Sequence, residues 1–235
     1  MTNYVHVIER DGFTVVPNIL DFGLISLLIE HLTQVPIDHA VSRRSGGAYG
    51  IRNLLNLVPL TRDIANSQAL RLLVEPILGR KAQVVRGIFF DKTVEANWKV
   101  AWHQDLTIAV RERIDVEDYG PWSVKAGIVH VQPPVAILEN MLTIRVHLDD
   151  TDELNGALRV IPGSHKAGRL LAEEIRDWKE KRNSVTCRLE RGGAMIMRPL
   201  LLHSSSAAID PGHRRVLHLE YCSAKLPDVL KWHEA

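Results

Sequence analysis

The stretch that most limits how this chain can fold runs from Met141 to Asp150: Met-Leu-Thr-Ile-Arg-Val-His-Leu-Asp-Asp. Successive side chains of a strand point to opposite faces, so Ile144, Val146 and Leu148 share one face and Thr143, Arg145 and His147 the other. The polar face is either turned to solvent or lines the inside of a barrel-shaped binding site; period alone permits both. Further short strands surround it. Asn155-Gly156 is a tight-turn signal followed by a strand over 157–161, which Pro162-Gly163-Ser164-His165-Lys166 ends. Residues 185–189, 194–203 (after Gly192-Gly193) and 214–221 read as strands, as do 82–91 and a short one after Asp11-Gly12.

Helical spacing appears mainly in the first third. Asp21 caps a helix in which Leu24, Leu27, Leu28 and Leu32 recur, and 63–78 reads as a second helix ended by Gly79. Residues 170–181 form a charge-dense surface helix. The glycine-rich stretch from Arg43 to Asn56 reads as a mobile loop leading into an ordered edge, and no Gly-Lys-Ser/Thr follows to make it a P-loop. Between Leu106 and Leu142 little regular period is visible; its aromatic and apolar content fits an ordered lid over a site. Helices first and then many short strands imply a mainly β fold with helices packed outside, in one domain over residues 1–235.

Composition narrows the function classes. With 29 basic and 28 acidic residues, nothing marks a polyanion or an acidic membrane as partner, so nucleic-acid binding is not expected. No apolar run is long enough to span a bilayer, and the start shows no secretion signal, so a cytoplasmic location is expected with Cys187 and Cys222 reduced. Two cysteines without Cys-x-x-Cys exclude a zinc-cluster or dithiol redox role, and no Gly-x-Ser-x-Gly marks a serine hydrolase.

The chemistry concentrates at Trp102-His103-Gln104-Asp105. On an extended segment His103 and Asp105 point to one face, and a remote imidazole such as His203 completes the two-His-one-carboxylate set that holds Fe(II) with positions left open. His-x-Asp alone occurs by chance in many chains. The other histidines have bland alternatives: His6, His31, His39, His213 and His233 read as surface residues and His165 as part of a turn, while His130, His147 and His218 either line a pocket or simply pack.

Taken together, Trp102-His103-Gln104-Asp105, Leu148-Asp149-Asp150 through Asn155-Gly156-Ala157-Leu158 to Pro162-Gly163-Ser164-His165-Lys166, and His203 followed by Arg214 resemble the phytanoyl-CoA dioxygenase family, from about residue 9 to about residue 222. The resemblance implies a double-stranded β-helix (a cupin-like jelly roll) that uses Fe(II), 2-oxoglutarate and O2. It makes His103, Asp105 and His203 the iron ligands. It places Arg214, eleven positions after the distal histidine, on the far carboxylate of 2-oxoglutarate, with Ser205, Arg145 and Thr143 nearby. A bidentate guanidinium suits a carboxylate. Arg215 is the competitor, but Arg214 shares its strand face with His218 whereas Arg215 shares Leu217 and Leu219. Two departures stand out: Ser204 occupies a position where the family commonly has Gly, and the lid is longer than in typical members.

The implied reaction is hydroxylation of a small molecule with release of succinate and CO2, since Asp105 occupies the place that related halogenases leave open for chloride. Arg52, Trp122, His130 and Gln132 suggest a polar or anionic substrate with an apolar part, although a solvated loop arginine is the alternative for Arg52. A metal-dependent hydrolase using the same three ligands, and a catalytically silent jelly-roll binding module, are the competing readings. The sequence leaves the substrate and the oligomeric state open.

Overall fold

The computed structural model describes residues 4–36, 41–44 and 47–235, the side chains of 41–44 and 47–49 excepted. In chain order the strands are β1 (Phe13–Val16), β2 (Val41–Arg44), β3 (Gly47–Ile51), β4 (Gln83–Lys92), β5 (Val100–His103), β6 (Ile108–Val110), β7 (Trp122–Lys125), β8 (Ile128–Val131), β9 (Met141–His147), β10 (Leu158–Val160), β11 (Val185–Thr186), β12 (Ala194–Met197), β13 (His203–Ser205) and β14 (Arg214–Cys222). The helices are α1 (Tyr4–Asp11), α2 (Phe22–Thr33), α3 (Leu54–Leu57), α4 (Pro59–Asn66), α5 (Gln68–Leu78), α6 (Val135–Glu139) and α7 (Ala172–Lys181).

Antiparallel pairing joins β1, β12, β9, β14, β4, β3 and β2 into one sheet, and β11, β10, β13 and β5 into a second. The two face each other as the walls of a jelly roll. The alternation in β9 decides which side is which. Ile144, Val146 and Leu148, with Ala194, Ile196, Leu217 and Leu219, pack under Ile25, Leu28 and Leu32 of α2, Leu54 and Leu55 of α3, and Leu70 and Val74 of α5. Each such side chain contributes about 1.5–3 kcal/mol on burial. Tyr221 locks the layer by donating to Ala65 O at 2.9 Å.

Thr143, Arg145 and His147 are therefore turned inward and are all buried, which rules out the solvent-facing alternative for that strand face. Between the sheets, one end is apolar, filled by Met195, Met197, Leu158, Val160, Cys187 and Leu201. The other end is polar and open. Both cysteines are buried and free.

Several stretches differ from the sequence reading, among them 194–203, read as one strand, which is β12 and the start of β13 with a turn between them, and 185–189, of which only Val185–Thr186 is strand. Residues 41–44 and 47–51, expected as loop, are a hairpin that extends the large sheet through Gly50↔Phe90 and Ile51↔Phe89. Gly50 permits the approach, because a Cβ there would lie 3.1 Å from Phe89 O. The loop tip Ser45-Gly46 and His39 lie outside the described residues. The helix expected over 63–78 is two helices, with Pro59 opening α4 and Ser67 extended (φ −61, ψ 154) between α4 and α5.

The segment from Leu106 is ordered as β6, β8 and β7, a small third sheet packed on Val85, Leu138 and Trp232, and the run ends where β9 begins at Met141. Its β7–β8 turn is Ala126-Gly127, both with positive φ. Alanine is an unusual choice for a turn that asparagine or aspartate normally opens, so the hairpin leaves little trace in the sequence.

The chain's last described segment ties this third sheet to the helices. Trp232 bridges Val110, and the Glu234 carboxylate, 2 % exposed, accepts the N–H groups of Leu55 (2.9 Å) and Gly87 (3.2 Å). Burial pushes its carboxyl up to about 7 despite those bonds and nearby Arg86. A raised carboxyl contributes stability fully below its ordinary value near 4.5 and loses it as pH rises through about 7. Glu234→Gln keeps an acceptor without the ionisation. It is expected to raise the thermal midpoint by a few degrees at pH 8 and by less at pH 5; a larger gain at pH 5, measured by thermal unfolding, would contradict this.

Candidate metal centre and the cavity around it

Strand pairing builds the centre. β13 runs antiparallel to β5 with His203 directly opposite His103, which brings the two rings to 4.2 Å between centroids. Each ring is aimed by its own backbone. His103 Nδ1 lies 2.9 Å from Ala101 O and His203 Nδ1 2.8 Å from Leu201 O. A carbonyl can only accept, so both Nδ1 atoms carry the proton and both Nε2 lone pairs are left for a ligand. Those Nε2 atoms face Asp105, 3.7 Å from Oδ1 and 3.6 Å from Oδ2.

The three residues offer ligand atoms all within 4.8 Å of one another. Two imidazole nitrogens and one carboxylate oxygen at that spacing suit a single first-row ion with bonds of about 2.0–2.2 Å and open positions on the far side. The charge states of His203 and Asp105 suit a bound cation. Burial lowers His203 to about 4, keeping it neutral. For Asp105 burial works upward, but His203 and His103 outweigh it and hold the carboxyl well below its usual range. Burial likewise works against His103, yet Asp105 leaves it raised.

Gln104, between the two ligands, points to the opposite face and was not singled out in the sequence. It is 6 % exposed, and its Nε2 donates to Gly168 O and Leu200 O, both at 2.7 Å, while Oε1 accepts the Leu170 N–H at 2.8 Å. With Asp105 N–H donating to Pro199 O at 2.9 Å, it pins the ligand segment to the chain that leads into His203.

The triad opens into a cleft of about 770 Å³ including its mouth, between β4, β5, β9, β13 and β14. Arg145, Ser205 and Arg214 line it, as does Arg52 from the end of the β3 hairpin. Arg214 is 3 % exposed, and its Nε and Nη1 make no hydrogen bond among the described residues. Arg215 faces the other way and grips Asp149 through Nε (2.8 Å) and Nη2 (2.6 Å). The alternation that separated the two arginines in the sequence is thus real in the fold.

Arg145 Nη1 donates to His218 Nδ1 at 2.8 Å, and His218 Nε2 donates to Glu220 Oε1 at 3.1 Å. Glu220 in turn takes the Arg86 guanidinium, so a buried chain fixes Arg145 in place. Burial keeps His218 low, and therefore neutral, in spite of Glu220. Lys92 was missed by sequence reasoning. It ends an apolar strand, where lysine reads as exposed, but pairing opposite Arg214 buries it completely. Its Nζ donates to Ser205 Oγ (2.9 Å) and Ser206 O (2.5 Å), and burial followed by Arg214 and Arg145 pushes it down to about 7.

Other expected residues sit elsewhere. Thr143 is buried with Oγ1 unbonded among the described residues, on the inward face but not on the cleft wall. Trp122 packs in the third sheet under Arg113, 5.8 Å from its ring. His130 is buried with Nδ1 bonded to Ile128 O at 2.9 Å, beside a small separate void shared with Arg86 and Glu234. Gln132 joins Gly120 and Pro121 through backbone bonds. The β7–β8 hairpin turns these three away from the cleft and presents Lys125, and β6 is preceded by Thr107, at its wall. His6, His31 and His213 are exposed and His233 half-buried.

Solved structures share this architecture. EctD from S. alaskensis, solved with 2-oxoglutarate and 5-hydroxyectoine, has a TM-score of 0.75 at 18% identity, over 95% of this chain and 76% of that one. The epimerase SnoN, in complex with Fe3+, alpha ketoglutarate and nogalamycin RO, has a TM-score of 0.70 at 18% identity, over 96% and 89%. HygX from Streptomyces hygroscopicus, with nickel and 2-oxoglutarate bound, has a TM-score of 0.68 at 15% identity, over 97% and 89%. At such identities the likeness establishes the jelly-roll fold. No curated protein matches significantly. The phytanoyl-CoA dioxygenase (PhyH) family model matches residues 8–216, which takes in His103, Asp105, His203 and Arg214, and the chain belongs to that family.

Proposed function

We propose that this protein is an Fe(II)- and 2-oxoglutarate-dependent dioxygenase that hydroxylates a small molecule, with release of succinate and CO2. One observation carries the reading: a buried guanidinium with two unsatisfied nitrogens, Arg214, in the same cleft as a two-His-one-carboxylate set. A buried arginine without an anion is costly, and a carboxylate meets its geometry with two parallel bonds. A hydrolase using the same three ligands would give Arg214 nothing to bind.

In this reading His103, Asp105 and His203 hold the iron, whose contribution when bound is oxygen activation coupled to decarboxylation of the keto acid. The chain's own residues do the rest. Arg214 takes the far carboxylate of 2-oxoglutarate, with the Ser205 hydroxyl beside it held by Gly156 O (2.8 Å) and Lys92. Arg145, steadied by His218, lines the space between that arginine and the triad. Trp98, Val100, Ile88 and Leu158 make the cleft partly apolar, which limits water around the reacting groups. The third sheet, over 106–134, acts as the wall and lid of the substrate side, because Thr107 and Lys125 reach the cleft. Asp105 fills the third ligand position, which favours hydroxylation over halogenation. No helix among the described residues is long and apolar enough to cross a membrane, and two free buried thiols suit a reducing cytoplasm.

Anaerobically Fe(II)-loaded protein, given oxygen and ascorbate, is expected to form succinate from 2-oxoglutarate even without its prime substrate. His103→Ala should abolish it, and Arg214→Ala should lower 2-oxoglutarate affinity by at least about a hundredfold, the scale of losing a buried charge-assisted pair. Arg214→Lys should recover only part, since a point charge cannot bond bidentately. Wild-type protein that binds iron but makes no succinate and no 2-oxoglutarate complex would refute the reading. Gln104→Leu removes three buried bonds behind the ligands and is expected to weaken iron binding by about 10–100-fold. Unchanged iron affinity in a competitive chelator titration would show that Gln104 does not position them.

A further inference from the structure

Lys92 is a fully buried lysine whose charged neighbours are cations. Arg214 faces it from β14 and Arg145 acts on it from β9, and among the described residues no carboxylate pairs with it. Burying an ammonium in such a place works against folding, and groups perturbed in this way gather at functional sites.

The surroundings are shaped to hold its head group. Nζ donates to Ser205 Oγ at 2.9 Å and to Ser206 O at 2.5 Å, and it lies 5.4 Å from the centre of the Trp98 ring. Gly156 leaves the room: at its φ of +79 a Cβ would stand 2.7 Å from Nζ and 2.6 Å from Ser206 O.

The consequence falls on Ser205, which lines the cleft. A hydroxyl has one proton and two lone pairs, whereas an ammonium can only donate. Lys92 therefore takes one lone pair of Ser205 Oγ, and the hydroxyl proton must turn elsewhere. Two directions are left to it: Gly156 O, 2.8 Å away, and the cleft. A neutral Lys92 would offer a lone pair of its own and compete for that proton.

We propose that Lys92 is a positioning residue for 2-oxoglutarate that acts through Ser205: its ammonium makes the hydroxyl a donor to the same carboxylate that Arg214 takes. The inference rests on the oxygenase reading and adds a residue to that same site. Burial, then Arg214 and Arg145, lower Lys92 to about 7, so near neutral pH part of it is uncharged. A carboxylate arriving beside it favours the charged form and raises it again. Binding of 2-oxoglutarate therefore takes up protons near neutral pH and weakens as pH rises further. The other interior groups do not titrate in that range: Arg214 and Arg145 stay charged, and burial keeps His147 and His218 low and neutral.

The test titrates Fe(II)-loaded protein with 2-oxoglutarate, without oxygen, in a calorimeter. Buffers of different ionisation enthalpy report the protons taken up. Wild type is expected to bind roughly tenfold more weakly at about pH 8 than at about pH 6, and to take up about half a proton midway between them. Lys92→Met should bind about tenfold more weakly at the lower pH, without proton uptake and without the pH dependence. Its iron affinity in a chelator titration should be unchanged, which a merely structural role would not allow. Lys92→Gln, which keeps a donor for Ser206 O, carries the same expectation and serves where Lys92→Met does not fold. In a Ser205→Ala background the loss from Lys92→Met should be several-fold smaller, since the two side chains act as one unit. Lys92 variants with wild-type affinity, a pH dependence that they retain, or an equal loss in the Ser205→Ala background would overturn the proposal and leave the oxygenase reading standing. Wild type that binds iron but no 2-oxoglutarate would overturn both.

Discussion

The rest of the site depends on one strand pairing, β13 against β5, with His203 opposite His103. Two imidazoles at that register can be brought to one point only if both rings are turned the same way. The carbonyls of Ala101 and Leu201, each two residues upstream of its histidine, do the turning. The candidate ligand set is thus aligned by backbone geometry. Gln104 makes it rigid from behind by tying the β5 segment to Leu200 and to the loop at Gly168 and Leu170. Slipping the register by one residue would send one imidazole to the opposite face and remove the site altogether.

Electrostatics divides the interior between the sheets. At one end methionines, leucines and valines fill the space; at the other, charged groups surround a cleft. Burying Arg145, Arg214 and Lys92 together works against folding, because each charge leaves water and repels the other two. The fold offsets part of that cost by lowering Lys92 toward neutrality and by the linked set Arg145–His218–Glu220–Arg86. What remains is Nε and Nη1 of Arg214, without a hydrogen bond among the described residues, and under the proposed function a carboxylate of 2-oxoglutarate would take them up.

Much of this was legible in the sequence because it was local. The β9 alternation put Ile144, Val146 and Leu148 on one face and Thr143, Arg145 and His147 on the other, leaving open whether that polar face met solvent or the interior, and the same argument separated Arg214 from Arg215. His103 and Asp105 were visible as neighbours on one strand face; His203 was tied to them through a family resemblance that spans a hundred residues of chain. What stayed hidden depends on which strands pair. Lys92 looks like a solvated strand end until β14 lies beside it. Gln104 acquires its role only when residues from the 168–170 and 200 regions close around it. The small third sheet was read as an ordered lid without visible strands, because those strands are three or four residues long and the turn is Ala126-Gly127. Without the strand alternation to sort the faces, Trp122, His130 and Gln132 were put toward the substrate and Lys125 was left unnoticed.

The central claim is that His103, Asp105, His203 and Arg214 form one site for iron and 2-oxoglutarate. The most direct measurement is an anaerobic titration of the Fe(II)-loaded protein with 2-oxoglutarate, followed by visible absorption. A keto acid chelating ferrous iron gives a metal-to-ligand charge-transfer band that neither component shows alone. The account predicts a saturable band in the wild type, no band in His203→Ala, and in Arg214→Ala a band that appears only at far higher 2-oxoglutarate. Iron bound stoichiometrically with no band at any 2-oxoglutarate concentration would contradict it.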